Sequence, residues 1–128
     1  MQGLHLTADL HNCRCEQAWL LDGQKLAAWC QNGLQSLGLA SSSQLFQGFQ
    51  GFQGPDGTPE GLSGAAVMPG AHVAIHSRLR QKSVLIDICI TDLVADHEAN
   101  ARAVMQVLAD LFAPEWTEQR SLDRGDES

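Results

Sequence analysis

The stretch GAHVAIHS, Gly70 to Ser77, sets two histidines four residues apart inside an apolar run. Imidazoles bind metals and carry protons near neutral pH, so the first question is whether His72 and His76 converge on one point. On a helix, HxxxH brings both rings to one side of a turn, close enough to share an ion. Val73 and Ile75, with the β-branched run after Ser83, favour a strand instead. There the two α-carbons stand about 13 Å apart, although both side chains share a face. One zinc ion is then beyond the reach of both. The Cys13-x-Cys15 pair does not rescue the idea, because CxC alone is a weak signal. No metal site is expected, and the two histidines read either as hydrogen-bonded strand residues or as parts of some other chemistry.

The elements that position them follow from period and punctuation. Leu4, Leu6, Ala8 and Leu10 alternate with His5, Thr7 and Asp9, which predicts a strand with one face buried. Asp22 is placed to cap a helix whose stripe is Leu26, Cys30, Leu34 and Leu37, ended by Gly38. Trp19 and Trp29 are expected to pack this helix on its sheet. Residues 39–49 are weakly strand-like. The triplet FQG then recurs at Phe46, Phe49 and Phe52 and runs into GPDGTPEG, which predicts an exposed hairpin loop or a ring laid over a flat ligand. Leu62 to Met68, Ala71 to Ser77 and Val84 to Ile90 read as three strands, with Pro69 and Gly70 a tight turn. Asp96 is placed to cap a second helix carrying Ala101, Val104, Leu108 and Leu111, with Pro114 just beyond its end. A short last strand near Trp116 completes the pattern.

The fold class is therefore α+β: two layers, a mostly antiparallel sheet with two helices on one face. The predicted organisation is one domain over residues 1–119, followed by a polar, frayed tail over 120–128. The opposite sheet face needs cover, and a second copy of the chain is the economical way to supply it.

The chain has 128 residues, 15 acids against 8 bases, and a net charge of -7. That charge repels phosphate backbones, so no nucleic-acid partner is expected. It suits a cationic or zwitterionic small ligand as well as plain solubility. No apolar run of membrane-spanning length occurs, so no membrane partner is expected either. The start MQGLHLTADLHN lacks the basic and apolar regions of a secretion signal, and a cytoplasmic location with Cys13, Cys15, Cys30 and Cys89 as thiols is the expectation.

Several blocks, in order, resemble the short bacterial type of S-adenosylmethionine decarboxylase, the pyruvoyl enzyme of spermidine synthesis in polyamine metabolism. The family opening G-x-H-L-x-A-[DE]-x-x-x-C is matched by Gly3, His5, Leu6, Ala8, Asp9 and Cys13. An F-x-x-F falls on Phe46 and Phe49, and a G-[VL]-S-G-x-x-V on Gly61 through Val67. The motif E-S-H-[LV]-x-I-H-T-W-P-E aligns without a gap on Gly70 to Arg80, and D-[LV]-F-T-C begins at Asp87. The resemblance implies a proenzyme whose serine attacks the preceding carbonyl carbon, turning the peptide into an ester. Elimination then cuts the chain and leaves a pyruvoyl group on the new amino terminus. That ketone forms a Schiff base with the substrate amine and withdraws electrons as carbon dioxide leaves.

The same resemblance marks where this chain departs. Ala71 stands at the serine position, and a methyl group cannot attack a carbonyl. His76 and Ser63 match residues credited with self-processing, whereas the proton-donor cysteine falls on Thr91, a far poorer acid. The glutamate before the cleavage point is Gly70. W-P-E becomes Arg78, Leu79 and Arg80, which exchanges a ligand-holding carboxylate for cations. By resemblance the substrate side is Phe46, Phe49 and Arg80. Two readings result. In the first, the chain is an unprocessed, silent relative with no cofactor as written, acting as a homodimer or as the regulatory partner of an active decarboxylase paralogue. In the second, it is a divergent pyruvoyl-dependent decarboxylase of ornithine or arginine, rather than of S-adenosylmethionine, held as a Ser-to-Ala precursor; a small amine or S-adenosylmethionine-like compound would then be its ligand.

Overall fold

The computed structural model describes residues 2–39, 43–51 and 57–125. The first alternating run is strand β1 (Gly3–His11), with Leu4, Leu6, Ala8 and Leu10 all buried. A single turn, α1 (Ala18–Leu21), precedes the long helix α2 (Gly23–Ser36). The Asp22 carboxylate accepts the N–H groups of Gln24 and Lys25 at 3.1 Å each, the cap its position predicted. At the other end Gly38 takes φ +80, and the Leu39 N–H reaches back to the Leu34 carbonyl at 2.8 Å.

Strands β2 (Ser43–Gln50), β3 (Pro59–Met68), β4 (Ala71–Arg78) and β5 (Ser83–Thr91) follow, then helix α3 (His97–Phe112) and strand β6 (Trp116–Arg124). The six strands form one sheet in the order β2-β3-β4-β5-β1-β6, every pair antiparallel. α3 packs across β1 and β5, while α2 and α1 pack across β2, β3 and β4. All three helices lie over one face, where Val73, Ile75, Ile86, Ile88 and Ile90 meet Leu26, Leu34, Leu108 and Phe112. This is the two-layer α+β arrangement that the sequence predicts.

Three details differ from expectation. The first FQG triplet and Phe49 and Gln50 of the second lie in β2 rather than in a loop, with Phe46 buried and Phe49 half-buried; Phe52 falls outside the described residues. Asp96 occupies the start of α3 but adopts φ 53 with no side-chain cap. There the Asn100 side chain donates to the Ala95 carbonyl at 2.8 Å instead. Arg120 to Arg124, expected as a frayed tail, continue β6 and pair with β1 as far as Gly3.

Among the described residues no helix covers the second sheet face. Registers place Val67, His72, Cys89, His5 and Leu122 side by side across it, and Ser63, His76, Leu85, Asp9 and Glu118 four residues further along. Leu45, Val67, Leu85, Trp116 and Leu122, each at least 50% exposed, all stand on this face.

Candidate functional site

On the uncovered face, toward the β4–β5 turn, lies a cleft of about 630 Å³ whose lining includes Asp9, His11, Phe49, Ser63, His76 and Arg78. The register puts Ser63 directly opposite His76, and Ser63 Oγ and His76 Nδ1 share a hydrogen bond of 2.9 Å. A hydroxyl held on an imidazole is the arrangement from which a base can take a proton. Phe49 can reach over the cleft because its cross-strand neighbour is Gly61, whose missing side chain leaves room for the ring. Arg78 forms the far wall. Its Nη2 lies 3.4 Å from Oε1 of the buried Glu60, and its Nε is shut off from solvent with no acceptor among the described residues.

Ala71 and Thr91 lie elsewhere, at the opposite end of β4. Ala71 pairs with Met68 and Ile90 and packs its methyl against the helix-covered core. Thr91 donates both its N–H and its hydroxyl to the Gly70 carbonyl, each at 2.9 Å. The carbonyl just before residue 71 is therefore held by two donors, beside a residue that offers no nucleophile. Gly70 itself takes φ +76, and a β-carbon there would come within 2.8 Å of Leu93 Cβ and 3.0 Å of Thr91 Oγ1. A glutamate does not fit this turn without moving it.

Five residues of strand separate Ala71 from His76, about 16 Å, and the two side chains point to opposite faces. Within one chain the anticipated site residues thus form two groups, Ser63 with His76 and Ala71 with Thr91. Phe46 points beneath α2 into the core at 5% exposure and does not line this cleft, whereas Phe49 does. Arg80 lies just past β4, in a separate depression with Thr58, Pro59, Glu60 and Leu79. The residues around position 71 do not fit a pyruvoyl group, since Ala71 has no oxygen to become one. The half-buried Asp9 and His11 line the cleft although the sequence reading assigned them no role there; only the register of β1 against its neighbours reveals it.

The cysteines stand apart from this chemistry. All four are free, and burial pushes the Cys13 and Cys30 thiols up to about 12. Cys15 is raised as well, by the same cause. Among the described residues no helix is long and apolar enough to cross a membrane.

A six-stranded antiparallel sheet with its helices on one side and a cleft of mixed apolar and polar lining on the other defines a two-layer α+β domain. Comparison with protein families narrows this: the model for S-adenosylmethionine decarboxylase matches residues 4–125, and the chain belongs to that family. The fold agrees with the crystal structure of the adenosylmethionine decarboxylase from Aquifex aeolicus VF5 at a TM-score of 0.73. Identity is 16%, over 98% of this chain and 92% of that one. No curated protein sequence matches the chain.

Proposed function

We propose that this chain is a catalytically silent member of the S-adenosylmethionine decarboxylase family, which stays uncleaved and acts through its surface as a dimer or as the partner of an active relative. One observation carries the reading. Residue 71 is a core-packed methyl following a glycine whose positive φ and closeness to Leu93 leave no room for the family glutamate unless the turn moves. The turn is shaped for Gly70, so more than one side chain separates this site from self-processing. The apolar residues exposed across the uncovered sheet face support a covering subunit.

A second reading has its own support. The Thr91 donors on the Gly70 carbonyl and the intact Ser63–His76 pair would suit a divergent decarboxylase precursor whose serine has been replaced by alanine. The variant Ala71→Ser separates the two. The silent reading expects one intact mass after prolonged incubation. Two fragments split between residues 70 and 71, with carbon dioxide released from ornithine or arginine, would establish the second reading instead.

A further inference from the structure

The cluster of metal-type donors that the described residues bring together is not at His72 or His76 but on the rim of the cleft. Asp9 and His11 project from the same face of β1, and the register sets Asp9 opposite Glu118 and His11 opposite Trp116. One ligand atom from each of Asp9, His11 and Glu118 lies within 4.8 Å of the other two. His11 Nε2 is already 3.0 Å from Glu118 Oε1. The His11 ring lies flat on the Trp116 indole, with centroids 3.8 Å apart and planes inclined by 13°. Stacking fixes the imidazole plane and keeps Nε2 aimed at the carboxylates.

We propose that Asp9, His11 and Glu118 form a binding site for a divalent transition-metal ion on the rim of the cleft lined by Ser63 and His76. One imidazole nitrogen and two carboxylates suit zinc, manganese or iron, whereas magnesium and calcium prefer oxygen alone. Bonds of about 2.1 Å set neighbouring donors about 3.0–3.4 Å apart. The histidine and Glu118 meet that spacing, and half-buried Asp9 needs only a rotamer adjustment. Two carboxylates also balance the charge of the ion. In the structure Arg120 does that duty, with Nη2 3.4 Å from Glu118 Oε2 and Nη1 4.0 Å from Asp9 Oδ2. The Arg120 side chain is 65% exposed and free to swing into solvent, so metal and guanidinium compete for the same carboxylates. This inference stands apart from the silence of residue 71 and holds whether or not the chain is ever processed.

The test is calorimetric titration of Zn²⁺ into the metal-free full chain, with Co²⁺ quenching of tryptophan emission as a second readout at Trp116. One ion per chain is expected. Glu118→Gln and Asp9→Asn should each weaken binding more than about tenfold and abolish quenching. Arg120→Gln, which removes the competitor at an exposed position, should tighten binding severalfold. Circular dichroism verifies that each variant folds, and Arg120→Gln carries the test if a ligand variant does not. Absence of binding at millimolar zinc would overturn the proposal. So would affinity unchanged in Glu118→Gln, which would place the ion at the thiols or at His72, or affinity weakened in Arg120→Gln.

Discussion

Replacing Ser77 by alanine removes the hydroxyl that ties α1 to the sheet. Ser77 is fully buried; its Oγ donates to the Leu20 carbonyl at 2.6 Å and accepts the Leu62 N–H at 3.0 Å. Alanine fits the same space and opens almost no cavity, so packing loss is minor. What remains is one buried backbone donor and one buried backbone acceptor that each lose this partner. Each such group costs about 1–3 kcal/mol. Offsetting the desolvation of the hydroxyl itself leaves a net loss of about 3 kcal/mol. For a chain of this size that is a fall in Tm of about 10 °C. Urea titration followed by tryptophan fluorescence measures it well, because Trp19 precedes Leu20 and leans on the core. The exposed Ser36, whose hydroxyl donates to the Gly33 carbonyl at 2.7 Å, is the control; Ser36→Ala should change stability by no more than about 0.5 kcal/mol. If Ser77→Ala were as mild as that control, the reasoning from buried polar groups would be refuted.

Two further outcomes are expected. Val67→Asp and Leu122→Asp place charges at opposite ends of one exposed row, and each acts twice in a symmetric pair. Light scattering should show the proposed dimer weakened by roughly hundredfold, with circular dichroism unchanged, whereas a parent protein that is already monomeric at high concentration would dismiss the covering subunit. The second concerns alkali. Cys13 and Cys30 titrate near 12 when folded against 9.0 ordinarily, so the folded state holds protons that the unfolded state releases. Their contribution to stability is complete below pH 9 and declines as pH rises from 9 toward 12. Urea midpoints across that window should therefore fall, and midpoints that rise would contradict the assignment.

The parts of this fold that bury one apolar face were readable in the sequence, and those held by backbone pairing were not. β1 and β5 alternate because one side meets helices and the other does not. β6 carries Thr117, Glu118, Gln119 and Arg120 in succession and is exposed along almost its whole length. Edge pairing to β1 holds it, and pairing leaves no apolar period to detect, so the sequence predicts a short strand near Trp116 but not its run on to Arg124. The FQG repeat misled for a related reason: residues three apart in a strand face opposite ways, so Phe46 enters the core while Phe49 reaches the cleft. Asp96 has the composition of a cap, yet its left-handed backbone turns the side chain from that task. At the site, the Ser63–His76 pair depends on the β3–β4 register, and a two-residue turn at Pro69 and Gly70 fixes that register locally. The grip of Thr91 on Gly70 and the approach of Glu118 to His11 need longer connections, which no local pattern encodes.

The sheet order places the first strand between the fifth and the last. During synthesis β3, β4 and β5 can zip together through short turns as they leave the ribosome. β1, although made first, gains one neighbour only when β5 arrives and the other only after α3 has been passed. Until then its backbone amides stand open on at least one side, available to any stray strand. The polar character of β6 thus serves as a late-arriving seal, whose own outer edge, rich in charge, discourages further strands from adding on.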